Sequence, residues 1–325
     1  MGIVSKIKKR QADIKKAYKA EKVFSAKFAR CNRRGRIAGM LRIKSVAENS
    51  RKKKDDFIVN YLEDTYRSVI NKYAADTTLG EKCEDSPIWV CWWTGEETAP
   101  PLVKQCIKST RKNAGKHPVC IVTKDNYCNY LDIPDYIMEK VNDGRMCVAN
   151  FSDYLRFSLL AKYGGLWIDA TIFCSRPIPK DYFDKSVFTC KYFSPDSNCI
   201  SKSRWTTFCT GGWKGNVYFK FMQEAFECYW QKHDTAIDYL LVDYTIYTAY
   251  SHIPAFREII DTLANNNSHR NDLAQAMVSG KPAEMFDLVI NDDTVFYKLS
   301  WREKYPLTTA DGKKSIFAYY LEKEI

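Results

Sequence analysis

Apolar residues follow two rhythms along this chain. Between Phe57 and Tyr73 they recur at helical spacing (Phe57, Ile58, Tyr61, Leu62, Tyr66, Val69, Ile70, Tyr73), which predicts a helix. A polar break from Glu81 to Pro87 follows. Ile88-Trp89-Val90-Cys91-Trp92-Trp93 is then an unbroken apolar run between Pro87 and Thr94-Gly95, the pattern of a buried strand. Pro100-Pro101 opens a helix to about Lys112, with Leu102, Val103, Cys106 and Ile107 on one side. Pro118 to Val122 reads as a second short strand, and Pro134 to Val141 as another helix. Ser152 has the character of an N-cap for a helix over Asp153 to Tyr163, stopped by Gly164-Gly165. Leu166 to Phe173 reads as one buried strand, and Thr210-Gly211-Gly212-Trp213 as a turn. Val217 to Lys232 is a core helix (Phe219, Met222, Phe226, Trp230), and Ile237 to Tyr244 is an aromatic helix.

Strands alternating with helices predict an α/β fold with a mostly parallel central sheet and helices on both faces. In such sheets ligands bind beyond the carboxyl ends of the strands. The division falls at about residue 80, with a helical extension over 1–80 and one domain over 81–325.

Charge sharpens that division. Residues 1–54 carry 19 Lys and Arg against Asp13, Glu21 and Glu48, whereas the whole chain of 325 residues has a net charge of +11. The body is therefore mildly acidic and the extension strongly basic. The extension also has helical apolar spacing (Ile3, Ile7, Ile14, Tyr18) with few turn residues before Asn32 and Gly35. Such a segment suits an anionic membrane surface, at about 1 kcal/mol per basic residue. Nucleic acid rewards the same charge but is the weaker expectation. The start lacks the apolar core of a secretory signal, and Lys6 stands where a myristoylation signal wants Ser or Thr. No apolar stretch reaches the roughly 18–20 residues of a membrane span. The 12 cysteines include no C-x-x-C pair and lie mostly in apolar runs, as free thiols in a reducing compartment do. The expected location is cytoplasmic, peripheral on the inner face of the cell membrane.

The chemistry concentrates between Asn150 and Pro179. Asp153 and Arg156 share a helical face at i, i+3. After Tyr163-Gly164-Gly165 comes a strand carrying Asp169, and an unpaired carboxylate in such a run costs several kcal/mol. Farther on, Asp238 and Asp243 lie five apart in an aromatic segment, suited to sugar or acceptor hydroxyls. Tyr297-Lys298-Leu299-Ser300-Trp301 offers an ammonium, a hydroxyl and an indole N–H, all donors for phosphate oxygens.

The order Asp-x-x-Arg, Tyr-Gly-Gly, then aromatic-x-Asp resembles the DXD-motif sugar-nucleotide glycosyltransferases of the capsular polysaccharide synthesis type. Gly95-Glu96-Glu97-Thr98-Ala99-Pro100-Pro101 is similar to that family's opening segment, and the resemblance covers roughly 87–305. The same arrangement recurs in large clostridial toxin glucosyltransferases, which implies a GT-A-like, Rossmann-type nucleotide-sugar-binding fold. By this resemblance Asp169 is the first Asp of the DXD, touching the donor and the metal site. Asp153 and Arg156 hold ribose, sugar hydroxyls or phosphate, Trp93 and Thr94 lie near the base, and Trp167 belongs to the donor site with Asp238. Lys298, Ser300 and Trp301 form the loop that closes over the diphosphate. Asp169, Arg156 and Asp243 are the expected catalytic residues. The family's cofactor is Mn²⁺ or Mg²⁺, but the second Asp of the motif is Thr171, a poorer ligand for either ion. The metal is then held mainly through Asp169, diphosphate and water, or dispensed with.

The expected activity is transfer of a sugar, with retention, from a nucleotide diphosphate such as a UDP-sugar to a hydroxyl of a surface-glycan or lipid-linked acceptor. The competing expectation is a catalytically inactive fold of the same type, a binding protein tethered by its basic extension. Retained Asp153, Arg156 and Asp169 argue against that alternative.

Overall fold

The computed structural model describes residues 3–290 and 293–323; Met1-Gly2, where the sequence lacks a lipidation signal, lies outside them. The extension forms helices α1 (Ile3–Lys22), α2 (Ala26–Met40), α3 (Lys44–Thr65) and α4 (Arg67–Tyr73). Ser25 caps α2 through the N–H groups of Lys27 and Phe28. Asn32 and Gly35, turn formers by propensity, sit inside α2. Asn32 Nδ2 donates to Glu21 Oε1 at 3.0 Å. A Cβ at Gly35 would stand 2.6 Å from that of Ser50, so this glycine lets α2 and α3 touch. The helical pattern expected from Phe57 begins at Lys44 and is interrupted at Tyr66, whose hydroxyl bonds Thr245 at 3.1 Å.

The body continues through β1 (Ile88–Cys91), α5 (Pro101–Asn113), β2 (Val119–Val122), α6 (Asp135–Asn142), α7 (Val148–Tyr163), β3 (Gly165–Ile168), β4 (Ile172–Cys174), α8 (Lys180–Phe183), β5 (Val187–Thr189) and β6 (Cys209–Gly212). Helices α9 (Val217–Lys232), α10 (Leu241–His252), α11 (Pro254–Thr262), α12 (Asp272–Val278) and α13 (Phe286–Val289) precede β7 (Phe296–Lys298) and α14 (Ile316–Glu322). The fold is mixed α/β, as expected. Its central sheet runs β2-β1-β3-β6-β5, with β1 parallel to both neighbours and β6 antiparallel to both of its own. Parallel pairing is thus confined to one half. Thr210-Gly211-Gly212, expected as a turn, is strand β6.

Period-two alternation divides the core between the two faces of this sheet. Trp89 and Trp167 join the apolar cluster that contains residues of α3, α4, α7, α9 and α10. Ile88, Val90, Leu166 and Ile168 join the opposite cluster, with α5, α12, β4, β7 and α14. The extension's inner helices therefore share a core with the body: Phe28, Ile58, Leu62 and Tyr66 are buried there. All twelve cysteines are free thiols. No helix among the described residues is long and apolar enough to cross a membrane.

Candidate active site

Helix α7 begins five residues earlier than Ser152 suggests, with Cys147 at its N-cap position and Ser152 inside the helix. At its other end Gly164 (φ +66°) and Gly165 (φ +94°) adopt left-handed backbone. A Cβ on Gly165 would lie 2.1 Å from the Pro87 carbonyl oxygen, and one on Gly164 2.6 Å from the Lys214 amide nitrogen. Only glycines let α7 run straight into β3 beside β1. That connection sets Arg156, on α7, next to the carboxyl end of β3.

Leu166 to Phe173 does not form the single strand expected. β3 ends at Ile168, the Ile172 N–H closes a turn onto the Asp169 carbonyl at 2.9 Å, and the chain resumes as β4 in a second sheet. Asp169 and Thr171 thus occupy a turn rather than mid-strand. β4 pairs antiparallel with β7, with Ile172 opposite Lys298. This register carries Lys298 to the turn from the far end of the sequence. Its ammonium donates to Asp169 Oδ2 at 2.8 Å and to Thr171 Oγ1 at 2.9 Å. The Leu299 N–H donates to the Thr171 carbonyl at 2.9 Å and fixes the register.

The other oxygen of Asp169 accepts from Trp167 Nε1 at 2.9 Å and from Arg156 Nη2 at 3.3 Å. Arg156 is only 3% exposed. Its Nη1 donates to Asp153, and its guanidinium lies 4.8 Å from the centre of the Trp167 ring. Burial alone would raise the Asp169 pKa, but Lys298 and Arg156 outweigh it and hold the carboxyl down at about 2. Asp153 has one cation rather than two, and burial dominates there, pushing its pKa up to about 6. Burial lifts Asp243 likewise, to about 6, against the hydrogen bond it accepts from Trp205 Nε1 at 3.0 Å.

Asp153, Arg156, Trp167, Asp169, Thr171 and Asp243 all line one cleft beyond the carboxyl ends of β1 and β3. Trp92, Asn150, Ser152 and Tyr239 complete much of its wall. Trp92 and Arg156, both on the cleft wall, each carry a buried donor with no acceptor among the described residues, Trp92 Nε1 and Arg156 Nε. Buried donors of this kind are costly unless something accepts from them.

Four expected residues stand elsewhere. Trp93 belongs to the opposite side of the strand's alternation, packed edge-on against Phe151 at 5.0 Å and near Tyr127 at 5.5 Å. Trp92 takes the cleft position, meeting Trp301 edge to face at 5.9 Å. Thr94 bonds Thr98 at 2.7 Å and is not part of the cleft lining. Asp238 precedes α10 and ion-pairs with Lys54 of α3 at 2.9 Å, turned away to the extension. Ser300 shapes the loop after β7, its N–H donating to the Tyr305 hydroxyl at 3.1 Å. Trp92 and Trp205 were missed by sequence reasoning. Alternation from Trp89 puts Trp93 on the α7 side and Trp92 on the other, so no local pattern marked Trp92 for the cleft, and none marked Trp205.

A charged cleft beyond the carboxyl ends of the parallel strands lies where open α/β sheets place their ligands. The capsular polysaccharide synthesis protein family matches residues 39–320, and the chain belongs to it. Membership points to a glycosyltransferase-like role in polysaccharide synthesis, with sugar-related substrates. No curated protein sequence matches the chain.

Proposed function

We propose that the chain is a retaining GT-A-type glycosyltransferase that moves a sugar from a nucleotide diphosphate, a UDP-sugar in the first instance, to a hydroxyl of a surface glycan. The observation that carries this reading is the convergence of Arg156 and Lys298 on Asp169, beside orphaned donors, at the ends of β1 and β3. In such a transfer the bond between the anomeric carbon and the phosphate oxygen breaks, and its electron pair stays with the diphosphate. The acceptor oxygen bonds that carbon, and its proton leaves with the diphosphate. Charge that builds on the leaving group is what preorganised cations stabilise. Arg156 and Lys298 are those cations, while Asp169 orients them and accepts from donor hydroxyls. Asp153 and Asp243 line the same wall and offer acceptors to sugar hydroxyls. Trp92 and Trp301 flank the base.

The acceptor is expected at a lipid surface. Val23, Leu41 and Ile43 are exposed on the extension among its Lys and Arg residues, an arrangement suited to anionic headgroups.

The test is release of nucleoside diphosphate from a panel of UDP-, GDP- and dTDP-sugars by the full chain and by Asp169→Asn. The reading expects turnover of one donor by the wild type and a loss of at least a hundredfold in the variant. No turnover of any donor, with binding intact, would favour the inactive, tethered binding protein.

A further inference from the structure

The DXD position here does not fit a divalent cation. Of the two residues that would hold it, Thr171 offers a neutral hydroxyl, and both it and Asp169 Oδ2 already accept from one ammonium. Asp169 Oδ1 is engaged by Trp167 and Arg156. Among the described residues no group of three His, Cys, Asp or Glu side chains could hold a metal ion. A divalent ion between Asp169 and Thr171 would have to displace Lys298 from its seat and would share the Asp169 carboxylate with Lys298 and with Arg156, whose other partner is Asp153. Mn²⁺ and Mg²⁺ seek several oxygen ligands, carboxylates first.

We propose that Lys298 takes the place of the metal: its ammonium, seated between Asp169 and Thr171, is the cation that receives the donor's diphosphate. This rests on the glycosyltransferase reading given above. An ammonium has three donors. Two are spent on Asp169 and Thr171; beyond them the ammonium has only the Phe208 ring, its centre 5.5 Å away, and no further hydrogen-bond acceptor among the described residues, which leaves one donor for a phosphate oxygen. The seat is rigid, because the β4–β7 pairing fixes Lys298 opposite Ile172 and the Leu299 amide ties the same turn. A carboxylate at 171 would suit a metal. A hydroxyl suits a lysine, since it accepts a hydrogen bond without adding a second charge to neutralise. Thr171 and Lys298 are therefore a matched pair, and the departure from the motif is compensated rather than degenerate.

The test is calorimetric titration of the full chain with UDP, GDP, ADP and dTDP, each in EDTA and each in Mn²⁺, for wild type, Lys298→Met, Lys298→Arg and the double variant Thr171→Asp with Lys298→Ala. Circular dichroism confirms that each variant is folded. Lys298→Arg keeps the proposal testable should the methionine variant fail to fold. One diphosphate is expected to bind wild type equally in EDTA and Mn²⁺, within twofold. Lys298→Met should weaken it at least tenfold in both, and Lys298→Arg should restore most of the loss. The double variant should bind only with Mn²⁺. Binding that needs Mn²⁺ in the wild type, or that Lys298→Met leaves unchanged, overturns the lysine assignment while leaving the transferase standing. Failure of every diphosphate to bind under either condition overturns the transferase reading, and the lysine assignment falls with it.

Discussion

Arg156 ties helix α7 to the turn after β3 by holding Asp153 with one terminal nitrogen and Asp169 with the other. The guanidinium is almost fully buried, so each partner matters more than its count of hydrogen bonds suggests. Removing one member of a buried pair leaves an uncompensated charge and costs about 3–5 kcal/mol. Arg156→Met should therefore lower the unfolding free energy by several kcal/mol in denaturant titration, as well as abolish donor binding. An unchanged denaturation midpoint would contradict this placement of Arg156.

Buried Asp153 and Asp243 set a pH dependence with a definite sign. Each has an ordinary carboxyl value of 3.8 raised to about 6 in the fold. Between those values the folded chain binds more protons than the unfolded one, so stability falls as pH rises from about 4 to about 6. Asp169 has the opposite sign, its contribution being lost only as pH falls from 3.8 toward 2. Asp243→Asn should flatten the fall between about pH 4 and pH 6, read by thermal denaturation across that range. A variant profile parallel to wild type would show that Asp243 ionises normally.

Neighbouring tryptophans should separate cleanly. Trp93 is half-buried and packs on core residue Phe151 and on Tyr127, so Trp93→Ala should cost about 3 kcal/mol of stability. Trp92 lines the cleft, so Trp92→Ala should raise the donor KM at least fivefold with a smaller stability loss. Donor kinetics together with urea unfolding of both variants make the comparison. A KM effect confined to Trp93→Ala would reverse the assignment.

The basic extension divides in the same way. α1 contributes basic side chains such as Lys15, Lys16 and Lys19, whereas Phe28 and Ile58 from α2 and α3 lie in the shared core. Deleting residues 1–22 removes 8 of the 19 basic residues of 1–54 but keeps exposed Val23, Leu41 and Ile43, so it should weaken binding to phosphatidylserine vesicles in a flotation assay and leave the protein folded. Deleting residues 1–54 should destabilise the body, because it removes Phe28 and cuts into α3. Full vesicle binding after the shorter deletion would refute the membrane role of α1.

What the sequence disclosed was local. Val217–Lys232 and the Asp153–Arg156 pair follow from helical spacing alone, and Tyr163-Gly164-Gly165 from a backbone that only glycine tolerates. The meeting of Lys298 with Asp169 depends on the β4–β7 register, which no local pattern encodes. The same distance hid the break in the strand at Asp169, because the chain changes sheets there. Asp238 and Asp243, five residues apart in one aromatic segment, were both expected at the site, Asp243 as the catalytic one. Helix α10 begins only at Leu241, which leaves Asp238 outside it and within reach of Lys54.

The central claim is that the cleft at the ends of β1 and β3 binds a nucleotide sugar through Asp169. Its most direct test is calorimetric titration of intact nucleotide sugars into the full chain and into folded Asp169→Asn. Saturable binding of one donor, weakened at least tenfold by the substitution, is the predicted result. Equal binding by both proteins, or none by the wild type, would contradict it.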